Sequence, residues 1–263
     1  PPLAAKHIDD FPNVEWIQSI YAGVDALVSQ LDDFSGELTN VKGIFGQQIA
    51  EYVLGYTIEH YRHFNHYRQL QSQNQWQPKP YQSLAKKKMV ILGTGSIGAY
   101  LASVAKGFAI EPIGVNRSGI PGKQSPFDAT YHIQELATAL KQADIVVNTL
   151  PNTPETENIL NADSLSHCSD ALLFNVGRGS GVDEDGLLAA LDCGSVSHAY
   201  LDVFKQEPLN KEHPFWQHKG ITITPHIAAL SFPEQVIDIF TENYQRLHDG
   251  YGLMNVVDLN KGY

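Results

Sequence analysis

The feature that most narrows what this chain can fold into is a glycine fingerprint set between two different periodicities. Lys88-Met-Val-Ile-Leu92 is a short apolar run of strand character, and Gly93-Thr-Gly95-Ser-Ile-Gly98 follows at once. Ile97, Leu101, Val104 and Phe108 then recur at helical spacing. In such a strand–turn–helix unit, Gly93 permits the tight turn, Gly95 lets a pyrophosphate approach the backbone, and Gly98 lets the helix lie close to the strand. The amides of Ser96, Ile97 and Gly98, at the positive end of the helix dipole, then face the phosphates. A glycine-rich turn in an unrelated α/β fold is the competing reading; the strand before and the helix after weigh against it.

The pattern continues. Strand-like runs are expected at 113–116, 144–150, 171–176, 199–204 and 221–224, with helices over 133–142 and around Leu187, Leu188 and Leu191. Alternation of this kind predicts a doubly wound parallel sheet, a Rossmann α/β fold, over residues 83–229. The flanks read differently. Residues 14–20 suggest a strand, a long polar helix is expected from Gln47 to about Gln73, and Pro233 to His248 reads as a helix. Residues 1–82 and 230–263 are therefore assigned to a second domain with connecting helices.

Net charge is −11, a field that repels nucleic acid and anionic membrane. Neither is expected as a partner, and an anionic ligand needs a local site built from Arg and backbone amides. No apolar run is long enough to span a membrane, and Pro1 to Asp10 does not read as a signal peptide. Cys168 and Cys193 are widely separated, suiting free thiols in a reducing cytoplasm. His60, His63 and His66 recur every third residue, but such steps rotate around a helix and do not converge, so no metal site is expected.

The second expected strand ends in Asn116-Arg117-Ser118, where an NAD site would place an acid. Arg and Ser there suit a 2′-phosphate, so NADP(H) is preferred over NAD(H), against the alternative that Arg117 is a solvated surface residue. Three further strands lead to Arg178, to Glu207 and to His226. The planar fork of Arg178 can hold a 2-oxo acid's carboxylate and polarise its carbonyl. His226 can deliver the proton that must follow a hydride. A carboxylate beside it, Glu207, would favour the charged ring and fix its orientation. Taken singly, each could be a surface or core residue; their joint occurrence at three strand ends is the signal.

With these residues the chain resembles the D-isomer-specific 2-hydroxyacid dehydrogenases. The resemblance is carried by Ala22-Gly-Val-Asp25, the glycine fingerprint, Leu150-Pro-Asn-Thr-Pro-Glu-Thr156 and Val176-Gly-Arg-Gly-Ser-Gly-Val-Asp-Glu184. It continues through Leu201-Asp-Val-Phe-Lys-Gln-Glu-Pro208 and Thr224-Pro-His-Ile-Ala228. Gln75-Trp-Gln-Pro78, Trp216-Gln-His218 and the closing Lys261-Gly-Tyr263 are similar to the glyoxylate/hydroxypyruvate reductase A branch. The resemblance implies hydride transfer from NAD(P)H to a small 2-oxo acid, with amides of Gly23 and Val24 on the substrate carboxylate beside Arg178. It implies Asp202 on the nicotinamide carboxamide and Leu150, Pro151 and Val176 lining the cofactor cleft. It also implies a homodimer using the helix from Gln47. The second domain would be flavodoxin-like and incomplete at its N-terminus, because the family's substrate domain begins upstream of Pro1. Two other readings stay open. One is a 3-phosphoglycerate or broad-range D-2-hydroxyacid dehydrogenase; the other is a non-catalytic NAD(P)-sensing regulator.

Overall fold

The structure, a computed structural model, describes residues 7–28, 30–31 and 34–259. The chain divides into two compact units: residues 46–150 with 155–228, and residues up to 45 with 151–154 and from 229 onward.

The larger unit is built on seven strands: β3 (Lys88–Leu92), β4 (Glu111–Asn116), β5 (Ala129–His132), β6 (Ile145–Asn148), β7 (Ala171–Asn175), β8 (Val196–Leu201) and β9 (Ile221–Ile223). They lie in the order β5-β4-β3-β6-β7-β8-β9, and every neighbouring pair is parallel. This is the doubly wound arrangement the alternation predicted, with strand order reversing at β3 and β6. The central strands are buried almost throughout, as both-face coverage requires: β6 and β7 expose no residue. Val90, Leu92, Val146, Leu173 and Ala199 share one core with Leu136, Leu140, Leu165 and Leu187 from the helices.

Register explains why the loops that matter emerge together. Val115, Leu92, Asn148, Asn175, Leu201 and Ile223 form one row across the sheet. One step beyond lie Asn116, Gly93, Thr149, Val176, Asp202 and Thr224. The amides of Gly93, Thr149, Val176, Asp202 and Thr224 each bond back to a carbonyl of that row on a neighbouring strand.

Helices α2 (Gly46–Tyr61), α3 (Phe64–Ser72), α4 (Ser96–Lys106), α5 (Leu136–Leu140), α6 (Ala162–Leu165) and α7 (Glu184–Cys193) complete this unit; α1 (Asp25–Val28) and α8 (Pro233–His248) belong to the smaller one. The expected single helix from Gln47 is broken: His63 takes a left-handed conformation at φ 56 between α2 and α3, with no glycine or proline to announce it. The compact units also divide at 45/46 rather than at 82/83. The reason is close packing of α2 on α4, where any side chain at Gly46 would meet Tyr100 Cβ 2.6 Å away.

In the smaller unit, β1 (Trp16–Gln18) pairs in parallel with β2 (Glu37–Thr39), flanked by α1 (Asp25–Val28) and α8 (Pro233–His248). Val24, Leu27, Leu31, Leu38 and Val257 form its core. Trp16 stacks on Phe240 of α8 at 5.1 Å, and the fully buried Asn243 binds Gln18 and both the amide and carbonyl of Met254. Thus α8 is tied to β1. No helix among the described residues is long and apolar enough to cross a membrane.

Candidate active site

At the end of β3, Gly93 has φ 101, and a side chain there would meet Thr149 Oγ1 at 2.6 Å. Only glycine serves both demands. A side chain at Gly98 would collide with the carbonyl of Gly93, so the first turn of α4 presses against the strand end. Gly95 faces open space and caps α4 with no side-chain hydrogen bond. The first-turn amides of Ser96, Ile97 and Gly98 thus start a helix that lacks a side-chain cap, and bare backbone at Gly95 leaves room for a pyrophosphate. These features fit a dinucleotide.

Asn116, at the end of β4, is a loop organiser. Its Nδ2 donates to Thr94 Oγ1 and to the Ile120 carbonyl, both at 3.0 Å. Its Oδ1 accepts from the amides of Ser118 and Gly119 at 3.0 and 2.7 Å and from the Ser118 hydroxyl at 3.2 Å. One amide side chain therefore ties the glycine loop to the loop carrying the exposed Arg117 and Ser118.

Sequence reasoning missed a pair of buried amides. Asn148 Nδ2 donates to Asn175 Oδ1 at 3.0 Å, from adjacent strand ends. Asn148 Oδ1 accepts the amide of Leu150, and Asn175 Nδ2 donates to the carbonyl of Arg178. Both are essentially inaccessible to solvent, so their partners must be met inside the protein. The available signal was an Asn closing two successive apolar strands, Ile145-Val-Val-Asn148 and Leu172-Leu-Phe-Asn175.

Arg178 is set between two glycines that have no room for side chains. A Cβ on Gly177 would meet the backbone of Leu150 at 2.7 Å, and one on Gly179 would collide with the backbone of Phe204. Val176 precedes them at the end of β7, and the Arg178 guanidinium donates to the Gly177 carbonyl at 2.8 Å. The close approach at Gly179 sets the Arg178 loop against the loop that carries Glu207.

Glu207 and His226, remote in sequence, are in direct contact: Nδ1 lies 2.7 Å from Oε2. The other carboxylate oxygen accepts the amide of Phe204 at 2.9 Å. The His226 side chain is 52% exposed and that of Glu207 35%, so the pair is open to solvent yet held on the protein side. Asp202 is buried, and its carboxylate accepts the Thr224 hydroxyl and the amides of Ile227 and Ala228. Its visible task is to hold the His226 loop.

In the smaller unit, the carbonyl of Ala22 accepts Asn40 Nδ2 at 2.8 Å, fixing the turn at Gly23 and Val24 just before α1. Pro151 also belongs to that unit, whereas Leu150 closes a run of the larger one. The closing Lys261-Gly-Tyr263 motif lies outside the described residues.

The histidines set aside as metal candidates go different ways. His63 bonds the carbonyl of Pro80 at 2.9 Å, while the half-buried His60 ring lies 6.0 Å from that of His198. Burial raises the Cys168 thiol to about 11, and the hydroxyl of Ser195 beside the exposed Cys193 lowers that thiol.

The model of the D-isomer specific 2-hydroxyacid dehydrogenase NAD binding domain matches residues 54–228. The chain belongs to this family. A family protein from Aeromonas salmonicida subsp. salmonicida is 43% identical and superposes with a TM-score of 0.92, covering 98% of this chain and 83% of that one. An NADPH complex of a D-isomer specific 2-hydroxyacid dehydrogenase from Xanthobacter autotrophicus is 32% identical, with a TM-score of 0.88 and coverage of 97% and 81%. An NADPH-dependent glyoxylate/hydroxypyruvate reductase from Sinorhizobium meliloti, bound to NADP and sulfate, is 28% identical, with a TM-score of 0.90 and coverage of 98% and 83%.

Proposed function

We propose that this dehydrogenase is an NADPH-preferring reductase of small 2-oxo acids of the glyoxylate and hydroxypyruvate type, with Arg178, Glu207 and His226 as its catalytic residues. The observation that carries the reading is the 2.7 Å contact between Glu207 and His226 beside the loop that presents Arg178.

The reduced nicotinamide, when bound, supplies the hydride. Arg178 binds the substrate carboxylate and draws electron density toward the carbonyl oxygen; the amides of Gly23 and Val24 are assigned to substrate binding on the strength of the family resemblance. His226, gripped at Nδ1 by Glu207, keeps Nε2 for substrate and passes its proton to the carbonyl oxygen as negative charge develops there. Glu207 stabilises the charged ring and, fixed by the Phe204 amide, keeps it oriented. Asp202, Leu150, Pro151 and Val176 are assigned to the nicotinamide end of the cofactor, and Ser96, Ile97 and the three glycines to its pyrophosphate. Asn116, Arg117 and Ser118 are assigned to the 2′-phosphate. The NADP and NADPH bound to the Sinorhizobium and Xanthobacter proteins favour that choice.

A cytoplasmic homodimer is part of the same reading. Association is supported by the exposed aromatic residues in and after α3: Phe64, Tyr81 and, almost fully exposed, Trp76.

The test is Arg178→Ala. We expect kcat/KM for glyoxylate to fall by orders of magnitude, with NADPH affinity nearly unchanged in a fluorescence titration. Near-normal reduction by the variant removes Arg178 from the mechanism.

A further inference from the structure

His226 stands in the left-handed region at φ 55, a strained conformation for a residue with a Cβ. Three consecutive amides show what holds it there. His226 donates to the main-chain carbonyl of Asp202, Ile227 to Asp202 Oδ1 and Ala228 to Asp202 Oδ2, each at 2.9 Å. Oδ1 also accepts the hydroxyl of Thr224 at 2.6 Å.

That last bond has a consequence further out. Thr224 has one hydroxyl proton, and the carboxylate takes it. Tyr52, on α2, lies 2.7 Å from Thr224 Oγ1, so Tyr52 must be the donor. Burial, the largest influence on it, pushes the Tyr52 phenol above its ordinary range, which keeps that proton in place. The chain runs in one direction, from Tyr52 hydroxyl to Thr224 hydroxyl to Asp202 carboxylate to the loop amides, and each donor polarises the next.

The geometry points to Tyr52 and Thr224 as positioning residues that lock the His226 loop through Asp202, in the conformation that brings the imidazole onto Glu207. This deepens the proposed function and rests on the reading of His226 as the acid. The ring of Tyr52 also packs edge-on against Tyr56 at 5.0 Å. Tyr52→Phe keeps that packing and removes only the hydroxyl; Thr224→Val removes the middle link, and Thr224→Ser retains it.

The experiment has two arms. Amide hydrogen exchange, read by NMR on the free protein, needs no turnover. In Tyr52→Phe, exchange at Ile227 and Ala228 should accelerate about five- to tenfold, the worth of one net hydrogen bond. Val90 and Leu173, in the sheet core, should keep their rates, which a general loss of stability would not allow. In the kinetic arm, kcat for glyoxylate should fall by a similar factor in Tyr52→Phe and further in Thr224→Val, with KM for NADPH unchanged and recovery in Thr224→Ser. The double variant should be no worse than Thr224→Val alone, because both lie on one chain. Unchanged exchange at Ile227 and Ala228 in Tyr52→Phe overturns the proposal. So does faster exchange with unchanged kcat in an active parent, since the lock would then not serve His226. A parent that turns over no 2-oxo acid defeats the proposed function instead, and the exchange arm alone then decides the lock.

Discussion

Replacing Glu207 by Gln isolates charge from shape. Glu207 bridges two donors: Oε2 faces His226 Nδ1 at 2.7 Å and Oε1 accepts the Phe204 amide at 2.9 Å. A glutamine has one oxygen to share between them. If the oxygen stays on Phe204, its NH2 faces Nδ1 and favours the neutral ring. If the oxygen turns to Nδ1, the NH2 confronts the Phe204 amide. In both cases the imidazolium loses its anionic partner. A hydrogen bond to a charged group is worth about 1.5–3 kcal/mol. Because both side chains are more than a third open to solvent, the low end applies, about 1.5 kcal/mol. That corresponds to about a factor of ten in rate, so kcat/KM for glyoxylate at neutral pH should fall about tenfold. An unchanged kcat/KM in the variant would refute the pairing as a functional device.

Other outcomes follow from the same geometry. Arg117→Ala should lower kcat/KM with NADPH about tenfold and leave NADH nearly unchanged. Asn116→Asp should shift preference toward NADH but also lower efficiency with both, because the donors to Thr94 and Ile120 are lost; comparing both cofactors in both variants checks this. Burial, with His60 and His218 nearby, pushes the His198 ring down to about 4 from 6.5. The unfolded chain therefore binds a proton that the fold refuses, and stability falls as pH drops from 6.5 toward 4 by about 2 kcal/mol, allowing for solvent reaching the ring. Urea denaturation at neutral pH and near pH 4.5 should show a smaller loss in His198→Gln than in the parent.

The sheet was legible because its strands announce themselves. Val90 to Leu92, Ile145 to Val147 and Leu172 to Phe174 are apolar runs bounded by polar or glycine-bearing turns, as buried parallel strands must be. The edge strand β5, Ala129–His132, was not legible: it is short, half-exposed and polar at its end. The bend at His63 carries no glycine or proline, so nothing in the local pattern marks it. Arg178, Glu207 and His226 could be proposed because the chemistry calls for those residue types after strands. Asn148 and Asn175 meet each other across adjacent strands, and Tyr52 and Thr224 act through partners distant in the chain, pairings that local sequence pattern does not give.

The proposed reaction is hydride delivery to a small 2-oxo acid with the 2′-phosphate recognised at the end of β4. It is tested by kcat/KM of the purified protein for glyoxylate and hydroxypyruvate with NADPH and NADH in parallel. Both acids should turn over, with a preference for NADPH of about ten- to a hundredfold, the worth of one charge-assisted hydrogen bond. Binding of NADPH without turnover, or equal or better efficiency with NADH, would contradict it.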